Sequence, residues 1–476
     1  MTFKHGITAS QVKTALSIPR QVSASLPVVI GCAPTHRLNA AVKQDAVVMC
    51  FNYAEAQKAL GFRETDDFEK WGLSEFAYSQ FILYGMAPVI FINLFKPEEH
   101  RAAVSNESVS IIDGKGKLKY SDVISFTDLN SGTNGVDYSV DLITGTILIV
   151  DDGALKDETS VQISYVYATP EAVTSTECIG GADFETGRAT GLQLVDEVFT
   201  RFRVVPGLLL APGFSDNPSV AAIMATKAGA INGIFSSVAL ADLPVKDLRN
   251  YTKIPEYKIN NNLVQEDLYL FWPRVLFDGR LMRLATHAAG VIATTDADND
   301  DIPYQSPSNH SLLIQGAALG LDDKDTIWLT QPQANYLNQN GITTALNFVG
   351  GWKLWGNRTA CYPDNNDIKD TFITNRRMFG WYGNNFILTW WSDIDTAFNR
   401  RLITRIINTE NIKLNSWAAK QYILGGRLEF RDDENSTLDL MDGHSNFHLM
   451  WGTASPNESM NVAMEYDPSY IKTLFS

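Results

Sequence analysis

The hydrophobic pattern of the first part of the chain alternates short apolar runs with segments of helical period. Residues 27–31 and 88–95 are compact apolar runs, as expected for buried strands. Residues 53–60 and 73–85 carry apolar side chains at helical spacing. The residues up to Ser25 show no helical period, so the pattern predicts an extended N-terminal arm.

The pattern changes after Pro97. Residues 105–168 alternate β-rich segments with turns that contain Gly, Asn or Asp. The predicted strands are 109–112, 143–150 and 161–167. Since α/β patterning resumes afterwards, we expect a small β-rich domain at 98–169, inserted into an α/β domain and closed by Thr169 and Pro170.

From about residue 187 helical and strand patterns alternate, which favours a mainly parallel sheet flanked by helices. The predicted order is helix 192–202, strand 204–210, helix 220–231 and strand 234–240. Asp278-Gly279 then predicts a hairpin between 268–276 and 280–284. A short helix is expected at 288–295.

The last third of the chain contains predicted strands at 345–352 and 386–391. One amphipathic helix places Ile394, Phe398, Leu402 and Ile406 on one stripe, and a second helix is expected at 412–424, ended by Gly425-Gly426. Near the end, Val462, Met464 and Tyr466 alternate with Asn461, Ala463 and Glu465, which predicts a period-two strand. A second extended piece is expected at 470–475.

Together these patterns predict a multidomain α/β (mixed α+β) chain with a β-rich insertion and extended terminal arms. The predicted units are an N-terminal arm (1–25), a middle α/β domain (26–97 and 170–340), the β-rich insertion (98–169), a C-terminal domain (341–455) and a C-terminal arm strand (456–476).

Composition narrows the classes of function. The net charge of −15 argues against a general nucleic-acid or anionic-membrane binder, because phosphate groups require clustered Lys and Arg. The four cysteines are scattered without a CxxC pair, and we expect reduced, buried thiols. The opening residues lack the apolar core of a signal peptide, so synthesis in the cytosol is expected. No direct membrane insertion is expected, because the longest apolar run near the start is too short for a span.

The search for catalytic motifs predicts no enzyme, no cofactor and no metal site. The sequence contains no GxxxxGK[ST], GxSxG or HExxH motif. His444 and His448 are close in sequence, but a polar loop pair is favoured over metal ligation. Residues 296–301 imitate the first ligands of an EF-hand, yet Asp301 replaces the required Gly and Pro307 the bidentate Glu, which favours a solvated acidic loop over a Ca²⁺ site.

Arg400, Arg401 and Arg405 form a local basic patch on the first amphipathic helix of the last third. A solvated helix face and a docking surface for an acidic partner both fit this pattern.

Several segments, in order along the chain, resemble the tail sheath proteins of contractile phage tails and related bacteriocin and injection machines. They are 288–296 (AAGVIATTD) with 306–309 (SPSN), 354–359 (LWGNRT), 375–379 (NRRMF), 456–460 (PNESM) and the opening segments 5–7 and 28–34. Asn357 departs from the family's usual Ala, and the acidic loop replaces one that contains Gly.

This resemblance implies a structural subunit that forms six-membered rings, stacked as a helix around an inner tail tube. It implies that the N-terminal arm and the strand of Val462, Met464 and Tyr466 join sheets of neighbouring subunits. It also implies a tube-facing C-terminal domain, an outward-facing insertion, and baseplate, tube and tail terminator proteins as partners in a virion tail.

The basic patch of Arg400, Arg401 and Arg405 is then expected to face the tube. The alternatives are another tail or baseplate protein and, from the acidic loop alone, a Ca²⁺-dependent hydrolase.

Overall fold

The computed structural model describes residues 20–21, 23–38, 46–129 and 132–475. The strands are β1 (Arg20–Gln21), β2 (Pro27–Gly31), β3 (Val47–Cys50), β4 (Met86–Ala87), β5 (Val89–Asn93), β6 (Arg101–Ser110), β7 (Lys115–Lys117), β8 (Val123–Phe126), β9 (Tyr138–Asp141), β10 (Thr146–Ile149), β11 (Ser160–Ala168), β12 (Gly181–Ala182), β13 (Ala189–Thr190), β14 (Leu208–Leu210), β15 (Val238–Asp242), β16 (Leu268–Phe271), β17 (Arg274–Phe277), β18 (Arg280–Met282), β19 (Gly316–Ala318), β20 (Thr326–Ile327), β21 (Ile342–Phe348), β22 (Gly351–Trp355), β23 (Ile423–Glu429) and β24 (His448–Thr453).

The helices are α1 (Tyr53–Leu60), α2 (Gly72–Ala77), α3 (Ser175–Ile179), α4 (Val198–Phe202), α5 (Pro218–Gly229), α6 (Ile254–Asn260), α7 (Leu284–Asp298), α8 (Gln331–Asn338), α9 (Ile368–Thr371), α10 (Ile373–Trp390), α11 (Arg400–Ala419) and α12 (Thr437–Met441). Helix α2 continues as a π-helical turn, Tyr78–Leu83. Within the described ranges, no helix is long and apolar enough to cross a membrane.

An eight-stranded sheet forms the centre of the molecule, in the order β22-β21-β16-β15-β14-β2-β5-β3. Its inner pairs, from β21 to β5, are parallel, and only the outer strands β22 and β3 run antiparallel. Strands β2, β14, β15 and β16 are buried along their whole length, with one hydrophobic cluster on each face. The predicted mixed α/β architecture is therefore confirmed.

Two hairpins lie next to this sheet or at its end, one in a separate four-stranded sheet, β18-β17-β19-β20, and one at the β22 edge. Asp278 and Gly279 both have positive φ and join β17 to β18, as the Asp-Gly pair predicted. Strands β21 and β22 form a second hairpin within the stretch predicted as one strand, 345–352. Because β21 pairs with β16, the predicted domain boundary at Gly341 lies at the start of a strand of the central sheet.

The β-rich insertion has its own core. Strands β7, β10 and β9 form one three-stranded sheet, and β6, β11 and β8 form another. Buried residues of these strands make a hydrophobic cluster that is separate from the two clusters of the central sheet. Asp122 connects the insertion to the body by accepting hydrogen bonds from Arg37 at 2.6 Å, Lys70 at 3.0 Å and the Trp71 indole at 3.2 Å.

The C-terminal region combines helices α10 and α11 with a two-stranded ribbon, β23–β24. The strand expected at 386–391 is wrong, because these residues end α10. The rings of Tyr382 and Phe386, then Phe386 and Trp390, lie 6.3 and 6.5 Å apart at a spacing of four residues, which is the geometry of one helix face.

The two helices expected over 394–406 and 412–424 form a single helix, α11. Helix α11 begins at Arg400, so Ile394 and Phe398 precede it and are exposed, and it continues past 412 to Ala419. Its buried stripe is Ile406, Glu410 and Leu414.

Gly425 and Gly426 do not end a helix. They lie in strand β23, where a side chain on Gly426 would meet the Cβ of Trp451 at 2.9 Å. The glycine pair therefore serves close packing of the ribbon.

The ends of the chain differ. Arg20 and Gln21 pair with β4, and the Ser23 and Ala24 amides donate to Asp301, both at 2.9 Å. These residues have partners in their own subunit, contrary to the expectation for an arm up to Ser25, while the rest of that predicted arm lies outside the described residues. At the other end, 454–467 forms no regular element, and the extended piece expected at 470–475 is a 3₁₀ helix, Pro468–Phe475.

Candidate assembly site at the root of the C-terminal arm

Two of the segments that carry the family resemblance meet in space. The SPSN segment lies along strand β22 and the residues after it. The Asn309 amide donates to the Leu354 carbonyl at 2.6 Å, and the Gly356 amide donates to the Ser308 hydroxyl at 3.1 Å. Ser306 donates to the side-chain oxygen of Asn357. Asn357, the departure from the family's Ala, thus has a structural partner in this chain.

The third segment, PNESM, joins them through Arg358. The Nε and Nη2 atoms of Arg358 donate to the two carboxylate oxygens of Glu458 at 3.1 and 2.6 Å. The Arg358 guanidinium lies 3.8 Å from the ring centroid of Phe372 and 4.5 Å from that of Tyr362. A bidentate pair on aromatic rings has a defined geometry, which distinguishes it from an ordinary surface ion pair.

Glu458 is the last residue before a segment without such contacts. Just before it, the Ser455 hydroxyl accepts from Asn375 Nδ2 at 3.4 Å. Beyond it, residues 459–467 make no hydrogen bond or ion pair to the body in the part of the chain that the structure describes. Val462 is 74% exposed, Met464 90% and Tyr466 76%. We refer to 459–475 as the C-terminal arm and to Arg358, Tyr362, Phe372 and Glu458 as the arm root.

The ribbon β23–β24 is a second feature with unpaired backbone groups. Its inner face packs on helix α11, where Leu414, Ile423 and Leu428 are buried. Within the described ranges neither outer edge of the ribbon has a strand partner. An isolated two-stranded ribbon is marginally stable, and its open edges are templates for added strands.

A cleft of about 850 Å³ lies beside the arm root. The residues around it are mostly uncharged and polar, with many carboxamides. They include Gln305, Asn309, Gln331, Asn335, Asn338, Gln339, Asn357, Gln421 and Asn457. Among the described residues that line it, Arg358 and Glu458 carry opposite charges and pair with each other.

The acidic loop does not collect its carboxylates at one point. Asp296 is buried and forms a bidentate ion pair with Arg377, also buried. Asp301 accepts from the Ser23 and Ala24 amides, and Asp300 accepts from Tyr422 at 2.5 Å and Lys420 at 3.0 Å. These bonds, from Tyr422 first, lower the pKa of Asp300. Each of these carboxylates has a protein partner, which does not fit a shared Ca²⁺.

The other metal candidates fail on similar grounds. The Nδ1 atom of His448 donates to the Glu434 carboxylate at 2.7 Å, and His444 is exposed four residues away. Among the described residues, one group has ligand atoms close enough for a cation: Glu99, His100 and Glu177. There the Lys96 amide donates to His100 Nδ1 at 3.0 Å, so Nε2 carries the proton and donates to Glu177 at 2.9 Å. Neither ring nitrogen keeps a free lone pair for a metal.

The predicted basic patch is divided. Arg400 and Arg401 lie in the first turn of α11, exposed and without an ion pair among the described residues. Arg405 instead pairs with Asp393 and lies 5.7 Å from the Trp390 ring. Positive charges at a helix N-terminus interact unfavourably with the helix dipole. Arg400 and Arg401 therefore do not stabilise α11, and their presence needs another reason.

The pairing of Arg358 with Glu458 is absent from the sequence expectations. Both residues lie in segments that carry the resemblance, and they have opposite charges. Those two features were the signal in the sequence that could have indicated the pair.

Comparison with known proteins supports the same family. The chain is 28% identical over 413 residues to the tail sheath protein of Burkholderia phage BcepMu, covering 82% of this chain and 84% of that protein. No family model matches the chain.

Solved structures show the same fold at low identity. A protein in the baseplate of the anti-feeding prophage superposes with a TM-score of 0.60 at 11% identity. The superposition covers 98% of this chain and 100% of the baseplate protein's chain. A sheath protein of an extracellular contractile injection system, PVC, in the contracted state gives 0.57 at 12% identity, over 98% and 99%. The resemblance that the motifs predicted is therefore confirmed: the chain is similar in sequence to a phage tail sheath protein and shares its fold with proteins of contractile injection systems.

Proposed function

We propose that this chain is the structural subunit of a contractile tail sheath. It polymerises as stacked hexameric rings around an inner tail tube and contracts to drive the tube through the envelope of a target cell. The sheath role has support from the similarity to a phage sheath protein along most of both chains. The rings, the tube and the contraction are part of the proposal.

The observation that carries it is the combination of a free arm and an open ribbon in one chain. The arm exposes Val462, Met464 and Tyr466 at alternating positions and has no strand partner among the described residues of its own subunit. The ribbon β23–β24 has open edges. Strand addition between copies would satisfy both, with main-chain hydrogen bonds for affinity and alternating side chains for register. Since donor and acceptor differ, the contact is head-to-tail and propagates.

Other partners follow from the same role. The tail tube is the partner for Arg400 and Arg401, whose unpaired charges would face an acidic surface. Baseplate and tail terminator proteins would bind the two ends of the sheath, in a virion tail assembled in the host cytoplasm. Catalysis and cofactors have no part in this function.

The test is assembly of truncated and face-substituted chains. Truncation after Ser459 keeps the arm root and removes the strand. We expect it to abolish the long tubes or stacked rings that the full chain forms in negative-stain microscopy. Regular tubes from the truncated chain would contradict the proposal.

A matched pair of variants then tests the strand geometry. Val462→Asp with Met464→Asp places charge on the apolar face and should prevent assembly. Asn461→Asp with Ala463→Asp adds the same charge on the opposite face and should leave assembly intact. Equal loss in both variants would argue against strand addition.

One observation favours the alternative of a baseplate protein, since two of the similar structures come from a baseplate. A baseplate subunit should form closed assemblies of limited length, whereas a sheath subunit should form tubes whose length grows with protein concentration. Microscopy across a concentration series distinguishes the two.

A further inference from the structure

We propose that Arg358 is a positioning residue that sets the direction in which the C-terminal arm leaves the subunit. The inference rests on the proposed function, because it concerns the arm that would join the neighbouring copy. It adds a specific joint, the Arg358–Glu458 pair, to that arm.

The first step of the argument is the way in which Arg358 is itself held. Its guanidinium lies 3.8 Å from the centroid of Phe372 and 4.5 Å from that of Tyr362, and Nη1 donates to the Thr371 hydroxyl at 3.4 Å. Phe372 is buried, at 6% exposure. The arginine is thus held by the body of the subunit before it meets the arm.

The second step is the geometry on the arm side. Two parallel bonds, at 3.1 and 2.6 Å, restrict both the position and the orientation of the Glu458 carboxylate. The side chains of Arg358 and Glu458 are 18% and 34% exposed, so the pair is partly shielded from water. A single-point contact would permit rotation of the arm, whereas the bidentate pair restricts it.

The third step is the abrupt change after Glu458. Residues 459–467 have no hydrogen bond or ion pair to the body within the described ranges, and the side chains of 457–471 are almost all exposed. The direction of the arm is therefore determined at its root. Apart from Arg358, the described residues that line the cleft beside the root include no Lys or Arg that would compete for Glu458.

A fixed root matters for assembly because it sets the effective concentration of the arm strand at the edge of a neighbour's ribbon. A tethered segment that samples a larger volume has a lower effective concentration at any one site. We therefore expect loss of the pair to raise the critical concentration for tube formation roughly tenfold, without a change in the fold.

The experiment uses the full chain with Arg358→Gln, Arg358→Lys or Glu458→Gln, and Arg201→Gln as a control that removes a different surface ion pair, with Glu197. Glu458→Gln lies on the exposed side, so it tests the proposal even where changes at Arg358 affect folding. Lysine keeps the charge but not the bidentate, stacked geometry, so an intermediate effect is expected.

Direction is measured separately from assembly, below the critical concentration, by the distance distribution between spin labels at Ser416→Cys on α11 and Asn461→Cys on the arm. The four native cysteines are buried, which favours labelling of the introduced sites. We expect Glu458→Gln to broaden this distribution roughly twofold relative to Arg201→Gln.

The outcomes separate this inference from the proposed function. If truncation after Ser459 abolishes tubes while Glu458→Gln changes neither the distance distribution nor the critical concentration, the positioning role is overturned and the sheath proposal stands. If the truncated chain forms normal tubes, the proposed function fails. The positioning role would then hold only for the arm's direction, and an unchanged distance distribution would overturn that too.

Discussion

At the scale of single residues, the buried pair Arg377–Asp296 connects two segments that the sequence comparison treats as separate motifs. Arg377 lies in the second turn of the long helix α10 and Asp296 in the last turn of α7, with side chains 3% and 1% exposed. Neither charge has access to water, so each depends on the other. The pair thereby fixes the C-terminal region against the middle domain.

Removing one partner should be severe. Arg377→Met leaves the Asp296 carboxylate buried without its cation, and we expect a loss of about 3–5 kcal/mol in the free energy of unfolding. Urea denaturation measures this loss. Adding Asp296→Leu to Arg377→Met removes the orphaned charge and should recover a large part of the stability. A double variant as unstable as the single one would show that the charge is not the cause.

Asp242 gives the molecule a pH dependence of defined sign. Burial, followed by the charges of Glu75 and Asp216, raises its pKa from 3.8 to about 7, against the opposing effects of the Ala285 amide and Arg283. An acid with a raised pKa binds its proton more tightly in the folded state. Its stabilising contribution is therefore complete below about pH 4 and is lost as the pH rises toward 7.

Asp242→Asn should remove this contribution while keeping an oxygen to accept from Ala285. We compare the unfolding free energy of the variant with that of the parent at each pH. This difference should shift in favour of the variant by roughly 2 to 4 kcal/mol from pH 5 to pH 8. Urea unfolding at both pH values measures the difference. The exposed Asp395→Asn is the control, and equal pH profiles for the parent and Asp242→Asn would contradict the assignment.

Individual residues also show what sequence reasoning can reach. The spacing of the acidic residues in 296–301 is similar to that of the first ligands in an EF-hand, and this favoured a loop. Asp296 instead lies on the buried face of α7, and its partner Arg377 is 81 positions away. Such a long-range pair leaves no local signature. The strand indicated by the period of Val462, Met464 and Tyr466 stays a prediction, because 454–467 forms no regular element and the residues between these three are exposed as well.

At the scale of elements, the C-terminal helices depend on a buried acid. Glu410 of α11 is 1% exposed and accepts hydrogen bonds from the Tyr382 hydroxyl at 3.2 Å and the Trp390 indole at 2.9 Å. Lys413 supplies its counter-charge at 2.9 Å. One side chain therefore joins α10 to α11 at two points.

The same elements explain why local patterns misassigned this region. The apolar run before Trp391 has no period that separates a strand from a buried helix, and only the contacts across to α11 decide. A polar residue on the buried stripe, Glu410, also interrupts the helical pattern that would have joined the two predicted helices. The central strands β2, β14 and β16 were predictable because they contain no charged or amide side chain.

Glu410→Ala should loosen the end of α10. The Tyr382 hydroxyl and the Trp390 N–H lose their acceptor, at a cost of about 2–4 kcal/mol for the buried groups. We expect faster hydrogen exchange in the second half of α10 with little change in the central sheet. Asn408→Ala, on the exposed face of the same helix, is the control and should leave exchange in α10 as it is.

At the scale of the whole molecule, the chain separates a rigid body from the parts that would contact other copies. The central sheet has a hydrophobic cluster on each face. In the described part of the chain, neither the arm nor the outer edges of the ribbon pair with another strand. Unpaired edges are an aggregation hazard in a monomer, and assembly is the state in which they are satisfied.

The charge distribution leads to the last prediction. In a chain of net charge −15, Arg400 and Arg401 are exposed at a helix N-terminus, where cations are unfavourable. If they hold the sheath on an acidic tube, Arg400→Glu with Arg401→Glu should leave tubes of the sheath protein alone unchanged. Co-assembly on purified tail tubes should weaken at least roughly tenfold, and the parent's binding should fall with added salt.

Arg427→Glu reverses a charge elsewhere on the C-terminal region, where Arg427 already pairs with Glu429, and serves as the control. Sedimentation of the purified chain with tail tubes measures binding for the parent and the two variants. Binding that survives the double reversal would mean that Arg400 and Arg401 do not face the tube. Arg400 and Arg401 would then be expected to bind another acidic partner. The tube would be expected to bind the opposite surface of the C-terminal region.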